Sequence, residues 1–204
     1  MHQYQILEKG KPVDQAHKAI ILIHGRGSSA QNIISLADEF CDSSFYIAAP
    51  QATNNTWYPY GFMEKESANE PWLSSAVATI KRLIDETAKH IPTESIYIMG
   101  FSQGASLTLE VTARFAAKYG GIAAFTGGLI GEKTNSTKYK GDFKGTKYFL
   151  GNSDKDPHIP LYRSEESKEV LTALGADVKL KVYPNMAHTI NQDEIESVRN
   201  WMFK

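Results

Sequence analysis

The chain has 204 residues, 42% of them hydrophobic and 22% charged, with a formal net charge of −1. That length holds one domain over residues 1–204 with a substantial core, in the composition of an ordinary globular protein. The near-neutral balance, with no basic stripe and no acidic tail, argues against nucleic acid and anionic membrane as partners. The single cysteine, Cys41, excludes an intrachain disulfide and fits a reducing compartment. The start, Met1-His2-Gln3-Tyr4-Gln5, lacks the charged and apolar regions of a signal peptide. No apolar run reaches the roughly 18 residues that a membrane span needs, so a cytoplasmic location is expected.

Strand and helix signals then alternate. Ala19-Ile20-Ile21-Leu22-Ile23-His24 is a continuous apolar run of the kind buried on both faces of a parallel sheet. After the loop Gly25-Arg26-Gly27-Ser28-Ser29, a helical period covers Ala30 to Phe40, with Ser28 or Ser29 placed to cap it. Phe45 to Ala49 reads as a strand stopped by Pro50. Residues 51–70 are irregular and aromatic. Pro71 opens a helix to about His90, with Leu73, Val77, Ile80, Leu83 and Ile84 on one face. Ser95 to Met99 is a strand, 103–118 a helix and Ile122 to Phe125 a short strand. Residues 131–145 are a polar surface loop, and apolar signals resume at Lys147-Tyr148-Phe149-Leu150. Leu161 to Leu174 is a helix stopped by Gly175, Val178 to Tyr183 a strand near a sheet edge, and Asp193 to Phe203 a closing amphipathic helix. This alternation predicts a doubly wound, mostly parallel sheet with helices on both faces.

Gly100-Phe101-Ser102-Gln103-Gly104 is the feature richest in chemistry. It fits G-x-S-x-G between a strand and a helix, the context in which a serine is held on a sharp, strained turn with small residues two positions to either side. A serine hydroxyl is a poor nucleophile unless a base lies within hydrogen-bond reach and a carboxylate orients that base. In this arrangement the partners follow in the order serine, acid, histidine. His188, past the last strand and before the closing helix, stands where the base belongs. His24 reads as structural, bonding loop backbone. His2, His17 and His90 read as solvated, and His158 as a residue that lines the site. For the acid, Asp154 and Asp156 both qualify by position, each with the alternative of a turn residue bonding its own backbone. Two main-chain N–H groups must face the developing oxyanion, and Gln103 and Arg26 are the expected donors. The Arg26 side chain reads as solvated, with an anionic substrate as the alternative.

These residues resemble the phospholipase/carboxylesterase family of small α/β-hydrolases, which includes acyl-protein thioesterases and bacterial esterases. The resemblance runs from about residue 19 to 204 and rests on Ile23-His24-Gly25-Arg26-Gly27, Gly100-Phe101-Ser102-Gln103-Gly104-Ala105, Asp156-Pro157-His158-Ile159-Pro160 and Met186-Ala187-His188. It implies the α/β-hydrolase fold and a triad of Ser102, Asp156 and His188, the Asp-Pro-x-Ile-Pro turn selecting Asp156 over Asp154. It also implies oxyanion donors at Arg26 and Gln103. Leu150-Gly151 stands where the family has His-Gly, and Ala187 where it has Gly. Arg26, Trp57-Tyr58-Pro59 and Asn69-Glu70-Pro71-Trp72-Leu73 resemble the bacterial branch more than the eukaryotic thioesterases, which argues against protein depalmitoylation. The related dienelactone hydrolases use a cysteine nucleophile, and a serine stands here.

On the substrate side, Trp57-Tyr58-Pro59-Tyr60-Gly61-Phe62-Met63 forms an aromatic cluster on a segment expected over the site. Two readings stand side by side: a pocket wall in which Trp57, Tyr60, Phe62 and His158 meet substrate, or a loop anchored by packing its rings on the core. The chain leaves little room for a separate cap domain, so an open, shallow site for small or short-chain esters is expected, with thioesters as a neighbouring class. No metal signature is present and the chemistry needs no cofactor. The expected partner is a small-molecule ester, and the expected assembly a monomer or homodimer. Two other readings use the same residues: lysophospholipid or lactone cleavage by the same triad, and a non-catalytic small-molecule-binding protein on the hydrolase fold. Cys41 reads as a small buried or half-buried residue rather than a nucleophile.

Overall fold

Buried, β-branched runs build the centre of the molecule. The computed structural model describes residues 1–203. Ile6–Gly10 (β1), Lys18–Ile23 (β2), Phe45–Pro50 (β3), Ile96–Phe101 (β4), Gly121–Phe125 (β5), Lys147–Ser153 (β6) and Asp177–Tyr183 (β7) form one sheet. Its strand order is β1-β3-β2-β4-β5-β6-β7. Only β1 runs antiparallel, against β3, and every other pairing is parallel.

The side chains of β2 alternate between two cores. Ile21 and Ile23 pack beneath Trp72–Ala88 (α2), Gln103–Arg114 (α3) and Leu161–Ala173 (α4). Ile20 and Leu22 face the opposite layer, made by Ala30–Ile33 (α1), the 3₁₀ turn Ile34–Glu39 and Gln192–Met202 (α5). Helices therefore cover both faces, which is why the central strands have no polar alternation. Among the described residues, no helix is long and apolar enough to cross a membrane.

Several boundaries depart from the sequence reading. β1 has no strong sequence signal: Ile6 and Leu7 are half-buried and Glu8, Lys9 and Gly10 exposed, as suits a short edge strand. The predicted helix 30–40 is α for one turn only. Ser29 caps it by accepting from Asn32 N–H, but Ser35 Oγ then donates to the Asn32 carbonyl and the remainder tightens to 3₁₀. The helix predicted to 118 stops at Arg114, after which Ala116 pairs with Gly141 and the Tyr119 ring drops into the core. β6 continues three residues beyond its apolar run, because Gly151, Asn152 and Ser153 pair with Lys181, Val182 and Tyr183 of β7. The polar stretch 131–145 is a loop, pinned by buried Tyr139 and Phe143.

Candidate functional site

The carboxyl ends of β2, β3, β4, β6 and β7 carry the loops on which the predicted site residues lie, the usual place for a site in an open α/β sheet. Ser102 connects β4 to α3 with φ 55° and ψ −119°, a left-handed conformation that costs an L-residue energy. Its N–H donates to the Phe125 carbonyl and its carbonyl accepts from Ser106 N–H, so neighbouring elements hold the strain in place. The flanking glycines are sterically required. A Cβ on Gly100 would collide with the Gly104 backbone, and one on Gly104 would collide with the Ile23 carbonyl oxygen.

Three loops converge on this serine. His188 Nε2 lies 2.8 Å from Ser102 Oγ, and His188 Nδ1 lies 2.7 Å from Asp156 Oδ2. The Asp156 side chain is fully shielded, and its Oδ1 accepts from the N–H groups of His158 and Ile159, each at 2.8 Å. Burial pushes the Asp156 carboxyl up, but the His188 bond and those two N–H donors outweigh it and hold its pKa below the ordinary range. An ionised carboxylate facing Nδ1 fixes the proton there and leaves Nε2 as the acceptor toward serine. Asp154 has a different partner: its Oδ1 accepts from Asn185 N–H at 2.7 Å, which shapes the turn before the histidine loop.

The backbone N–H groups of Arg26 and Gln103 find no acceptor among the described residues, and both residues line the cavity beside Ser102. Their side chains have a role that the sequence reading missed. Arg26 is exposed, but its guanidinium is engaged by backbone: it donates to the carbonyls of Tyr58, Pro59 and Tyr60 at 2.9, 2.8 and 2.6 Å. The Gln103 carboxamide accepts from Trp57 N–H and donates to the Tyr58 carbonyl. The two residues that flank the serine in space therefore hold the aromatic segment in place.

That clamp sorts the aromatic residues. A cavity of about 350 Å³ is lined by Ser102, His188, Tyr58, Phe62, His158 and Ile159, with Arg26, Gly61, Gln103 and Ser106 completing it. Phe62 and His158 line it as expected, and the His158 ring meets that of His188 edge-on at 4.8 Å. Trp57 does not. It is fully buried, donates through Nε1 to the His24 carbonyl and packs on the His24 ring, so it anchors the loop to the core. Tyr60 is 58% exposed and lies outside the cavity lining. Both are corrections to the pocket reading, and Tyr58 takes their place in the lining. Ser106 was legible in principle: it stands four residues after Ser102, one turn along the same helix face. Tyr58 and Ile159 carry no such signal, because irregular segments have no period.

The remaining histidines divide clearly. His24 Nδ1 bonds the Gly25 carbonyl and Nε2 accepts from Ala52 N–H; burial lowers its pKa and keeps it neutral. His2 is not solvated as expected, because it is half-buried, with Nε2 on the Trp57 carbonyl and Nδ1 accepting from Thr53 N–H. His17 and His90 are exposed. Cys41 is half-buried, its thiol pushed up to about 12 by burial first and then by Asp42 and Asp38, which leaves it inert as a nucleophile at neutral pH. The acid Glu194 opens α5 in a capping box, its side chain accepting from Asn191 N–H while Asn191 accepts from Glu194 N–H. It is completely buried and, chiefly by that burial, pushed up to about 7.

A serine on a strand–helix elbow, bonded to a histidine that is itself bonded to a buried carboxylate, defines the α/β-hydrolase class. Residues 4–204 match the Phospholipase/Carboxylesterase family, and the chain belongs to that family and is a hydrolase. A phospholipase/carboxylesterase from Dyadobacter fermentans DSM 18053 is 50% identical in sequence, with a TM-score of 0.97 over 100% of this chain and 98% of that one. Acyl-protein thioesterase 1 of Debaryomyces hansenii is 28% identical over 92% of this chain and 90% of its own length. The carboxylesterase of Bacillus cereus, 18% identical with a TM-score of 0.79 over 100% of this chain and 94% of that one, shares the fold.

Proposed function

We propose that this hydrolase cleaves carboxylic esters of small or short-chain substrates through an acyl-enzyme, with Ser102 as nucleophile, His188 as general base and acid, and Asp156 as the orienting carboxylate. The observation that carries this reading is the unbroken hydrogen-bond chain from Ser102 Oγ through the His188 ring to Asp156. As Oγ attacks the carbonyl carbon, its proton passes to His188 Nε2. The imidazolium so formed is stabilised by Asp156, and the carbonyl oxygen, now negative, turns toward the N–H groups of Arg26 and Gln103. Gln103 is the first residue of α3, so the positive end of the helix dipole reinforces its N–H. His188 returns the proton to the leaving group, then repeats the cycle with water to free the acid.

The cavity supports a short substrate arm. At about 350 Å³ it lies at the low end for small-molecule sites. Thioesters form a second substrate class for the same triad, favoured by the thioesterase name of the Debaryomyces hansenii relative. Hydrolysis of p-nitrophenyl acetate, butyrate, octanoate and palmitate, alongside the matching acyl thioesters, tests the reading against Ser102→Ala. A drop of thousands-fold or more is expected, as for other triads. Turnover that survives the substitution overturns the mechanism, and a chain-length optimum at palmitate overturns the short-arm assignment.

A further inference from the structure

Behind Phe62, away from Ser102, lies a side chain that the reaction does not use. Arg163, in the first turn of α4, is 1% exposed. Its Nη2 donates to the Leu129 carbonyl at 2.6 Å, and its Nε lies 3.2 Å from Glu166 Oε2 without hydrogen-bond geometry. Nε and Nη1 have no hydrogen-bond partner among the described residues, an expensive state for a buried cation. What the guanidinium has instead is the face of Phe62, its Cζ 5.1 Å from the ring centroid. Gly128 permits this approach, since a Cβ there would stand 3.0 Å from Phe62 Cε2 and 3.1 Å from Arg163 Cβ.

The two residues face different spaces. Phe62 lines the cavity that holds Ser102 and His188. Arg163 lines an outer groove of about 740 Å³, with Tyr162, Glu166, Thr134 and Val170 among its walls. The stacked pair therefore stands between the cavity that holds Ser102 and a larger outer groove. Tyr162 Oη on Met63 Sδ and Thr134 Oγ1 on Glu166 tie the surrounding loops to α4.

We propose that the Phe62–Arg163 stack is the partition that limits the length of the apolar substrate arm, and that Arg163 is a specificity-determining positioning residue that holds Phe62 across the passage to the outer groove. The inference rests on the ester-hydrolase reading above. Substrates with arms of a few carbons fit on the near side. Longer arms require Phe62 to swing, which breaks its contact with the cation and leaves the guanidinium with still fewer partners.

The test is the ratio of kcat/KM for octanoate to that for butyrate, measured for wild type, Arg163→Ala, Arg163→Lys and Phe62→Ala, with parallel alkyl acetates in case the arm on this side is the alcohol. Thermal melts confirm folding, and a fluorophosphonate probe reports whether Ser102 is reactive in each variant. Removing the partition is expected to raise the long-to-short ratio by about tenfold or more, the scale on which apolar pockets discriminate length. Arg163→Lys, which keeps the stem and the cation, is expected to restore most of the wild-type profile. Loss of a merely structural side chain lowers the melting temperature without moving the ratio. If Arg163→Ala does not fold, Phe62→Ala decides by the same criterion. Folded variants whose Ser102 takes the probe but whose ratio is unchanged in both ester series overturn the partition. A wild type that takes no probe and turns over no ester overturns the hydrolase reading and the partition with it.

Discussion

The Glu194 carboxylate rests against the Cα of Gly151, so closely that a Cβ on that residue would collide with Oε1. One carboxylate oxygen holds Asn191 N–H at 2.9 Å, while Oε1 has no partner among the described residues. A buried carboxylate so placed favours its protonated form, and Glu194 is pushed up to about 7 from an ordinary 4.5. The folded-state pKa lies above the unfolded one, so the stabilising contribution is complete below the unfolded value and is lost as pH rises through about 7. The gap corresponds to about 3 kcal/mol between the two ends of that window. Chemical denaturation at about pH 5 and about pH 8.5 is expected to show a wild-type stability decrease of that order, and Glu194→Gln, neutral throughout, to lose most of it. Equal pH slopes for the two proteins would sink the assignment.

The two aspartates of the acid loop separate by a direct comparison. Asp156 faces His188 Nδ1, while Asp154 accepts from Asn185 N–H. Asp156→Asn replaces an anion that fixes the tautomer with a neutral amide, and kcat is expected to fall about 10³- to 10⁴-fold, as when the carboxylate of other triads is lost. Asp154→Asn keeps an acceptor oxygen for the turn and is expected to retain activity within about tenfold. Comparable losses in both variants would contradict the separation of roles.

How far the sequence reached follows from what kind of signal each feature leaves. The buried parallel strands announce themselves as uninterrupted apolar runs, and the elbow through its two glycines, each of which meets backbone if given a side chain. Those signals are local. β1 left none, because an edge strand whose only half-buried residues, Ile6 and Leu7, pack on opposite faces does not stand above background. Arg26 shows the other limit. Its position in the loop after β2 was legible, but its guanidinium reaches three carbonyls some thirty residues away. The irregular segment 57–63 has no period to say which ring points inward, so choosing Tyr58 over Trp57 and Tyr60 for the pocket needed the tertiary packing.

The Arg26 clamp carries its own consequence. Its main-chain N–H survives substitution, so Arg26→Ala removes the clamp on Tyr58, Pro59 and Tyr60 while leaving the proposed oxyanion donor in place. Charge-assisted bonds of this kind contribute about 2 kcal/mol where partly exposed, so kcat/KM is expected to fall about 30-fold, chiefly through KM, as the pocket wall loosens. Limited proteolysis within residues 58–63 is expected to accelerate in parallel. A loss confined to kcat with unchanged proteolysis would mean that the side chain acts on the reacting atoms instead.

Gly104 gives the sharpest steric test of the elbow. The Cβ of Gly104→Ala would meet the carbonyl carbon and oxygen of Ile23, the last residue of β2, which pairs with Gly100 of β4. Paired backbone has no rotamer to change, so either α3 moves away from β2 or the turn at Ser102 opens. Both displace Ser102 Oγ from His188 Nε2. Overpacking of a rigid core costs about 1–3 kcal/mol, and this contact belongs at the upper end. Gly104→Ala is therefore expected to lower the melting temperature by several degrees and to abolish labelling of Ser102 by a fluorophosphonate. Gly27→Ala is the matched control for a loop glycine near the site: nothing lies within 4 Å of a Cβ there, and its only strain is a positive φ of 74°. That substitution is expected to cost about 1 kcal/mol and to leave the probe reaction intact. Full labelling of a folded Gly104→Ala protein would show that the turn tolerates a side chain, and the strained elbow would lose its steric basis.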